Sequence, residues 1–381
     1  MPPSLSGHNL PTWRKYLVLF VVSWMTLVVT FSSTSLLSAT PEISAALATT
    51  SEVVDITNSG VLVAMGLSVL IWSPLSDVLG RRRIYNLAIF VNFAFSVGVA
   101  LATDMGMFVA FRLLGGFTGC YFMVAGQTII TDIFEPVQRG RATGFFLVGS
   151  VAGPALGPCI AGIIVAFNDW RTIFWLQSAM SGLGLILSVL LIPAIESTSA
   201  YKNDTAKKLH SRLLSRLNPW SVFRQFKNPK VFFADLACGF LAITNYGLLA
   251  CIRAVINPRF NLTTPLISGL FYIAPGIGFI LGSVVGGRMS DQTVKRYMVK
   301  RDGARFPEDR LNSGTWSLLF VLPASMLLLG WSLEKRFGGL TLPIVAAFFA
   351  GVGLLSAFNS LNTFVAGTPF FLYCFSFSSG N

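Results

Sequence analysis

Charge is what this chain lacks most. Asp, Glu, Lys and Arg make up 12% of its 381 residues, about half of the roughly 25% that a soluble domain carries. Length alone would allow two or three soluble domains, but so little charge cannot coat them. Histidine is rarer still: His8 and His210 both lie outside the apolar runs, so no histidine is placed to ligate a metal within them. The five cysteines, Cys120, Cys159, Cys238, Cys251 and Cys374, follow neither zinc-site spacing nor an obvious disulfide framework. No apolar run contains an H-E-x-x-H or nucleophile-elbow pattern. Enzyme chemistry, a metal and a cofactor are therefore not expected. The first 15 residues run polar into the first apolar run without an A-x-A site, so they do not read as a cleavable signal peptide.

Hydrocarbon is what the chain has. Hydrophobic residues make up 53% of it and its mean hydropathy is +0.67. A helix needs about 20 apolar residues to cross about 30 Å of hydrocarbon at 1.5 Å per residue. Ten such runs occur, at about 16–38, 56–75, 84–103, 107–131, 142–167, 172–193, 231–253, 266–287, 315–332 and 341–361. Lipid offers little water to backbone groups, and the ten-residue alternation of barrel strands is missing, so these runs predict helices. The expected fold class is an all-α polytopic membrane protein.

A net charge of +12 would suit nucleic acid, but the cations fall in a pattern that does not. Of 28 Lys and Arg, 22 lie in alternate connections: Arg14 and Lys15, Arg81 to Arg83, Arg139 and Arg141, eight from Lys202 to Lys230, and seven from Arg288 to Arg310. The opposite set holds five (Arg171, Arg253, Arg259, Lys335 and Arg336), and Arg112 sits inside a run. Such asymmetry follows the positive-inside rule and places the amino terminus in the cytoplasm. The expected partners are the bilayer and a small molecule, not DNA or RNA.

Six runs come first (1–195), then a basic polar linker (196–230), then four runs with a short apolar tail (231–381). The linker holds the turn dipeptides Asn218-Pro219 and Asn228-Pro229. Its stretch from Lys207 to Leu217 reads equally as an amphipathic surface helix or as a solvated connector. Residues 288–314 read as a second cytoplasmic insertion, and Asn261-Leu262-Thr263 is a glycosylation sequon on the outer side. Asn203-Asp204-Thr205 also fits a sequon but falls on the cytoplasmic side.

Two stretches share their punctuation. Ser73-Pro74-Leu75-Ser76-Asp77-Val78-Leu79-Gly80-Arg81-Arg82-Arg83 and Gly286-Gly287-Arg288-Met289-Ser290-Asp291, with Lys295 and Arg296 beyond, each close an apolar run with an aspartate and then turn through cations. Pro74 can end or bend the second helix, Gly80 permits a tight reversal, and the arginines anchor at an anionic surface. Asp77 either pairs with an arginine or caps a neighbouring helix, or it is incidental to a merely basic turn. Arg112, about five residues inside the fourth run, costs on the order of 2.5–3.5 kcal/mol to insert. Either it points inward to serve proton movement or substrate, or it snorkels to the outer surface about 8 Å away. The fifth run reads Gly149-Ser150-Val151-Ala152-Gly153-Pro154-Ala155-Leu156-Gly157-Pro158. Small residues four apart let a second helix approach closely, and the prolines remove backbone donors.

In these motifs the chain resembles the major facilitator superfamily, nearest its fungal drug:proton antiporters with twelve spans. The turn at 73–83 resembles the family's G-x-L-x-D-x-x-G-R-R-x signature, with Ser73 where glycine is usual. Arg112 with Gly116 resembles the R-x-x-x-G signature, whose arginine is implicated in proton coupling. Gly149, Gly153, Pro154 and Gly157, followed by Pro158, match G-x-x-x-G-P-x-x-G, which distinguishes antiporters from many facilitators. Asp132, Glu135 and Arg139 resemble the charged turn after the fourth helix, and Asp169-Trp170-Arg171 with Phe174 and Trp175 resembles the opening of the sixth. The resemblance implies two pseudo-symmetric bundles with a cavity between them, about ten spans here of an expected twelve, and a chain truncated after the tenth. Asp77, Gly80, Arg81, Arg82 and Asp291 would then latch the cytoplasmic side.

Aromatic or amide groups deep in helices 1, 4, 5 and 7 are the candidates for substrate contact: Trp24, Phe31, Tyr121, Gln127, Asn245 and Tyr246. The first run has no acid between Tyr16 and Leu37, which disfavours strongly cationic substrates. The expectation is a monomeric, proton-coupled exporter of small apolar or amphipathic compounds in the plasma membrane, working by alternating access. Its rivals are an uptake carrier for a nutrient and a non-transporting regulatory fragment.

Overall fold

The computed structural model describes residues 10–134, 136–192, 229–260, 269–301, 308–335 and 338–367. Both sequons, the stretch from Lys207 to Leu217, Glu135 and the tail beyond 367 lie outside the described residues, as do the side chains of Arg139 and Arg141. The described residues form helices without strands, and ten helical segments are long and apolar enough to cross a membrane. They belong to two compact units, one built from the first six spans and one from the last four.

In the first unit the helices are α1 (Thr12–Ala46), α2 (Ser51–Leu79), α3 (Arg81–Ala100), α4 (Met105–Gly116), α5 (Gly119–Ile133), α6 (Pro136–Phe167) and α7 (Arg171–Leu191). α4 and α5 form one span, Met105–Ile133, interrupted at Phe117 and Thr118. Asp104 caps α4 by accepting the Met107 N–H at 2.9 Å, which satisfies one of the orphan donors of a helix start. α1 runs 35 residues, well past its apolar stretch. Its many serines and threonines bond their own backbone, as Ser23 Oγ does to the Leu19 carbonyl at 2.8 Å, so polar side chains enter the bundle already satisfied.

The turn after α2 differs from expectation. Pro74 neither ends nor interrupts α2, which continues to Leu79. A proline removes only one backbone hydrogen bond, and packed neighbours compensate for that loss inside a membrane. The stop comes at Gly80, whose φ of 98° is closed to most side chains.

In the second unit α8 (Pro229–Cys251) passes into a π-helical turn (Ile252–Ile256) and a last helical turn (Asn257–Arg259). Pro229 and Lys230, assigned to the linker on sequence, belong to α8. α9 (Ile273–Lys300) is followed by α10 (Asp309–Trp316), a π turn (Ser317–Val321), α11 (Leu322–Lys335) and α12 (Thr341–Gly367). The motif around Asp291 does not turn. α9 carries Arg288, Asp291, Lys295 and Arg296 in unbroken helix, and Asp291 is exposed on it. No glycine or proline follows Gly287 before Arg301, so nothing stops the helix where the apolar run ends. The repeated punctuation is therefore a likeness of sequence and not of backbone, and the insertion assigned to 288–314 is largely helix.

Two ion pairs fasten the start of α10. Arg301 bonds Asp309 at 2.9 Å, and Asp309 is 2% exposed. Lys230 bonds Glu308 at 2.9 Å, and chiefly this hydrogen bond holds the Glu308 carboxyl below its ordinary value. A depressed carboxylate stabilises the fold above its unfolded pKa, and that stabilisation is lost as pH falls through the folded pKa. With side chains 65% and 47% exposed, solvent screening keeps the effect small. Lys230→Gln is expected to move the Glu308 titration upward, read by carbon NMR of labelled glutamate. An unmoved titration would remove Lys230 as the cause.

Candidate functional site

The first unit organises its polar residues at three places. At the end where α2 gives way to α3, Arg81 forms an ion pair with Asp132 on α5. The arginine turn is thus bound to the end of the fourth span. Asp77 is half-buried, and both Asp77 and Arg81 lie within electrostatic reach of Tyr121. Arg82 instead donates to the Val189 carbonyl of α7 at 2.7 Å. One short turn therefore grips two different spans. Arg81→Asp, which sets a carboxylate against Asp132, is expected to lower the thermal midpoint of the purified protein by a few degrees. Pairing it with Asp132→Arg should restore most of that, since a partly exposed pair contributes up to about 1 kcal/mol. Failure of the double exchange to recover would mean that the pair does not join these spans.

The second place is Arg112. Its side chain does not snorkel outward: the residue is 4% exposed. Its guanidinium donates to the Ser32 hydroxyl at 3.0 Å, to the Ser32 carbonyl at 3.3 Å and to the Asn58 side-chain oxygen at 3.1 Å. The Phe174 ring lies 5.5 Å from its central carbon. α1, α2, α4 and α7 thus meet at one cation, and none of these partners is a carboxylate. A planar fork suits this task because one guanidinium can serve two helices at once. Beside it, Gln177 donates to Ser96 at 3.0 Å and Asn92 to Ser181 at 2.9 Å, so α3 and α7 are joined by neutral polar bonds. Arg112, Gln177, Ser32 and Ser96 border a cleft of about 10 Å³, at the lower limit for a single water.

The third place is the seam between α1 and α6. A Cβ on Gly149 would strike the Ser23 carbonyl, one on Gly153 would strike Thr30, and one on Gly157 would strike Thr34. The two backbones pack directly, as small residues four apart allow. Ser38 donates to the Pro158 carbonyl at 2.7 Å and Thr34 to the Gly153 carbonyl at 3.3 Å, which tie α1 across the seam. α6 is continuous helix through Pro154 and Pro158.

Within the first unit, the residues expected to contact substrate do not share one cluster. Phe31 and Tyr121 are each 1% exposed and belong to separate core clusters, Tyr121 stacked on Trp72. Trp24 donates its indole N–H to the Met180 carbonyl at 2.9 Å, which ties α1 to α7. Gln127 is half-buried on α5, while Asn245 and Tyr246 lie half-buried on α8 in the other unit. At the opposite end of the first unit, Arg171 pairs with Asp169 at 3.3 Å and stacks on Trp170 at 4.5 Å, while Trp170 and Phe174 pack on Phe108.

Ser32, Asn58 and Gln177 were not singled out from the sequence, although polar groups inside apolar runs are costly enough to mark them. A second seam was missed as well. Gly278, Gly282 and Gly286 on α9, spaced by four, meet Phe348, Val352 and Ser356 of α12 at backbone distance. Its small-residue spacing is as regular as that of α6.

Comparison with known proteins agrees with these features. The model of the Major Facilitator Superfamily matches residues 22–369. The chain is 25% identical over 388 residues to the efflux pump radE of Floropilus chiversii, covering 97% of this chain and 71% of that protein. It is 28% identical over 343 residues to the MFS transporter eqxG of Fusarium heterosporum, covering 90% of this chain and 68% of the relative. The partially occluded, inward-open xylose transporter XylE of E. coli superposes with a TM-score of 0.65 at 14% identity, covering 92% of this chain and 86% of that one, which speaks for the fold alone. The breadth of the family match and the ten membrane-length helices place this multi-pass transporter, which is not an enzyme, in the Major Facilitator Superfamily.

Proposed function

We propose that this transporter exports small, mostly apolar or amphipathic compounds from the cytoplasm in exchange for protons, by alternating access, across the plasma membrane. The observation that carries the reading is the seam of α6 on α1. The glycines of the motif resembling the antiporter signature form a backbone-to-backbone contact surface there, which supports reading the motif as the antiporter element it resembles. Arg112 supports the coupling: it is a cation inside the bundle whose partners are neutral. Protonation or charge arriving nearby changes the energy of such a group strongly, because a low-dielectric interior screens it weakly. The radE relative is named an efflux pump, which favours export over uptake. The amino terminus is read as cytoplasmic from the lopsided placement of Lys and Arg.

The test is a proton-gradient assay. Cells expressing the chain are loaded with a panel of lipophilic dyes, and dye release is followed before and after a protonophore is added. Release faster than in vector-control cells, and abolished by the protonophore, is expected. Inward accumulation in counterflow would instead establish an uptake carrier.

A further inference from the structure

Where the first turns of α1 and α3 meet the last turn of α7, the first unit holds a cavity of about 170 Å³. Trp13, Arg14, Arg82, Leu190 and Ile192 are among its walls, and none of the described residues lining it is acidic. Arg82 spends one N–H on the Val189 carbonyl, which leaves four of its five donors. The Arg14 guanidinium rests 5.4 Å from the Trp13 ring and makes no hydrogen bond to another described side chain. The flanks are apolar and outward-facing, with Trp13 60% and Leu190 73% exposed. Two arginines with no carboxylate in the cavity wall, beside an exposed tryptophan, match the composition of a headgroup layer, where aromatic rings and cations meet lipid phosphates. Drug-sized ligands need pockets of about 300–1,000 Å³, so this one is too small for a whole exported compound. It suits a single anionic headgroup.

We propose that this cavity binds the phosphate of an anionic phospholipid, with Arg14 and Arg82 as its cationic clamp and the acyl chains lying along Trp13 and Leu190. The bound lipid would join the start of α1 to α3 and α7, at the membrane face that carries the arginine turn. This assignment is independent of what the transporter carries.

The full chain, purified into phosphatidylcholine nanodiscs doped with phosphatidylserine, tests it by native mass spectrometry of retained lipid. Wild-type protein is expected to keep one phosphatidylserine. Arg14→Gln should release it roughly fivefold more readily, from the usual worth of one cation beside anionic lipid, and Arg14→Lys should largely keep it. Arg14→Gln, Arg82→Gln together should lose it. Because Arg14 is exposed and its side chain makes no hydrogen bond or ion pair with another described residue, the single variant remains decisive even if the double variant folds poorly. Unchanged retention in Arg14→Gln would overturn the proposal. So would inorganic phosphate or glycerophosphoserine competing as well as the diacyl lipid, since that would make the cavity a free-anion site.

Discussion

Gly149→Ala is expected to destabilise the protein markedly, while Gly144→Ala in the same helix changes little. The added carbon at 149 meets the main-chain carbonyl of Ser23 in α1, which has no rotamer through which to withdraw. At 144 the same carbon meets nothing within 4 Å. Overpacking of a tight contact costs about 1–3 kcal/mol, and a unit of this size loses about 2–4 °C in midpoint per kcal/mol. A fall of several degrees is therefore expected for Gly149→Ala, and more for Gly149→Ala combined with Gly153→Ala, whose new methyl would meet Thr30. An open-site change such as Gly144→Ala should stay within about 0.5 kcal/mol. Thermal unfolding in detergent, followed by tryptophan fluorescence, separates the two. Matching midpoints for the 149 and 144 variants would mean that α1 and α6 are not in backbone contact.

That seam was legible in the sequence because small-residue spacing survives without knowledge of the fold. The ten spans were legible for the same kind of reason, since each apolar run is a local property. Their ends were less so. α1 extends from Thr12 to Ala46 because its serines and threonines bond their own carbonyls, which hydropathy counts as polarity. The turn at Asp291 misled because a cluster of cations reads as a loop, whereas a helix continues until something breaks it. The inward aim of Arg112 was not decidable locally: snorkelling and burial differ only in whether α1 and α2 supply acceptors, and Ser32 and Asn58 are 80 and 54 residues away. Phe31 and Tyr121 show the converse limit. An aromatic in a span signals neither cavity nor core until its neighbours are known, and here both are core.

Arg112→Met is expected to reduce proton-driven export to the vector-control level while leaving yield and thermal midpoint close to wild type. Two opposing terms make the stability change small. Removing the cation relieves an insertion cost of about 2.5–3.5 kcal/mol. It also strands the Asn58 oxygen, which costs about 1–3 kcal/mol when buried without a donor, while the Ser32 carbonyl keeps the Ser35 hydroxyl. Function has no such compensation, because nothing else among the described residues places a positive charge between Ser32 and Asn58. Arg112→Lys keeps the charge but loses the fork, and a single ammonium serves α1 and α2 less well together; partial export is expected. The measurement is protonophore-sensitive dye release at matched expression, with the lysine variant run alongside. Export by Arg112→Met at the wild-type rate under the same gradient would remove this arginine from the coupling. Export lost in Met but partly kept in Lys, with all three proteins melting alike, would tie coupling to the charge itself and leave the helix contacts it makes as secondary.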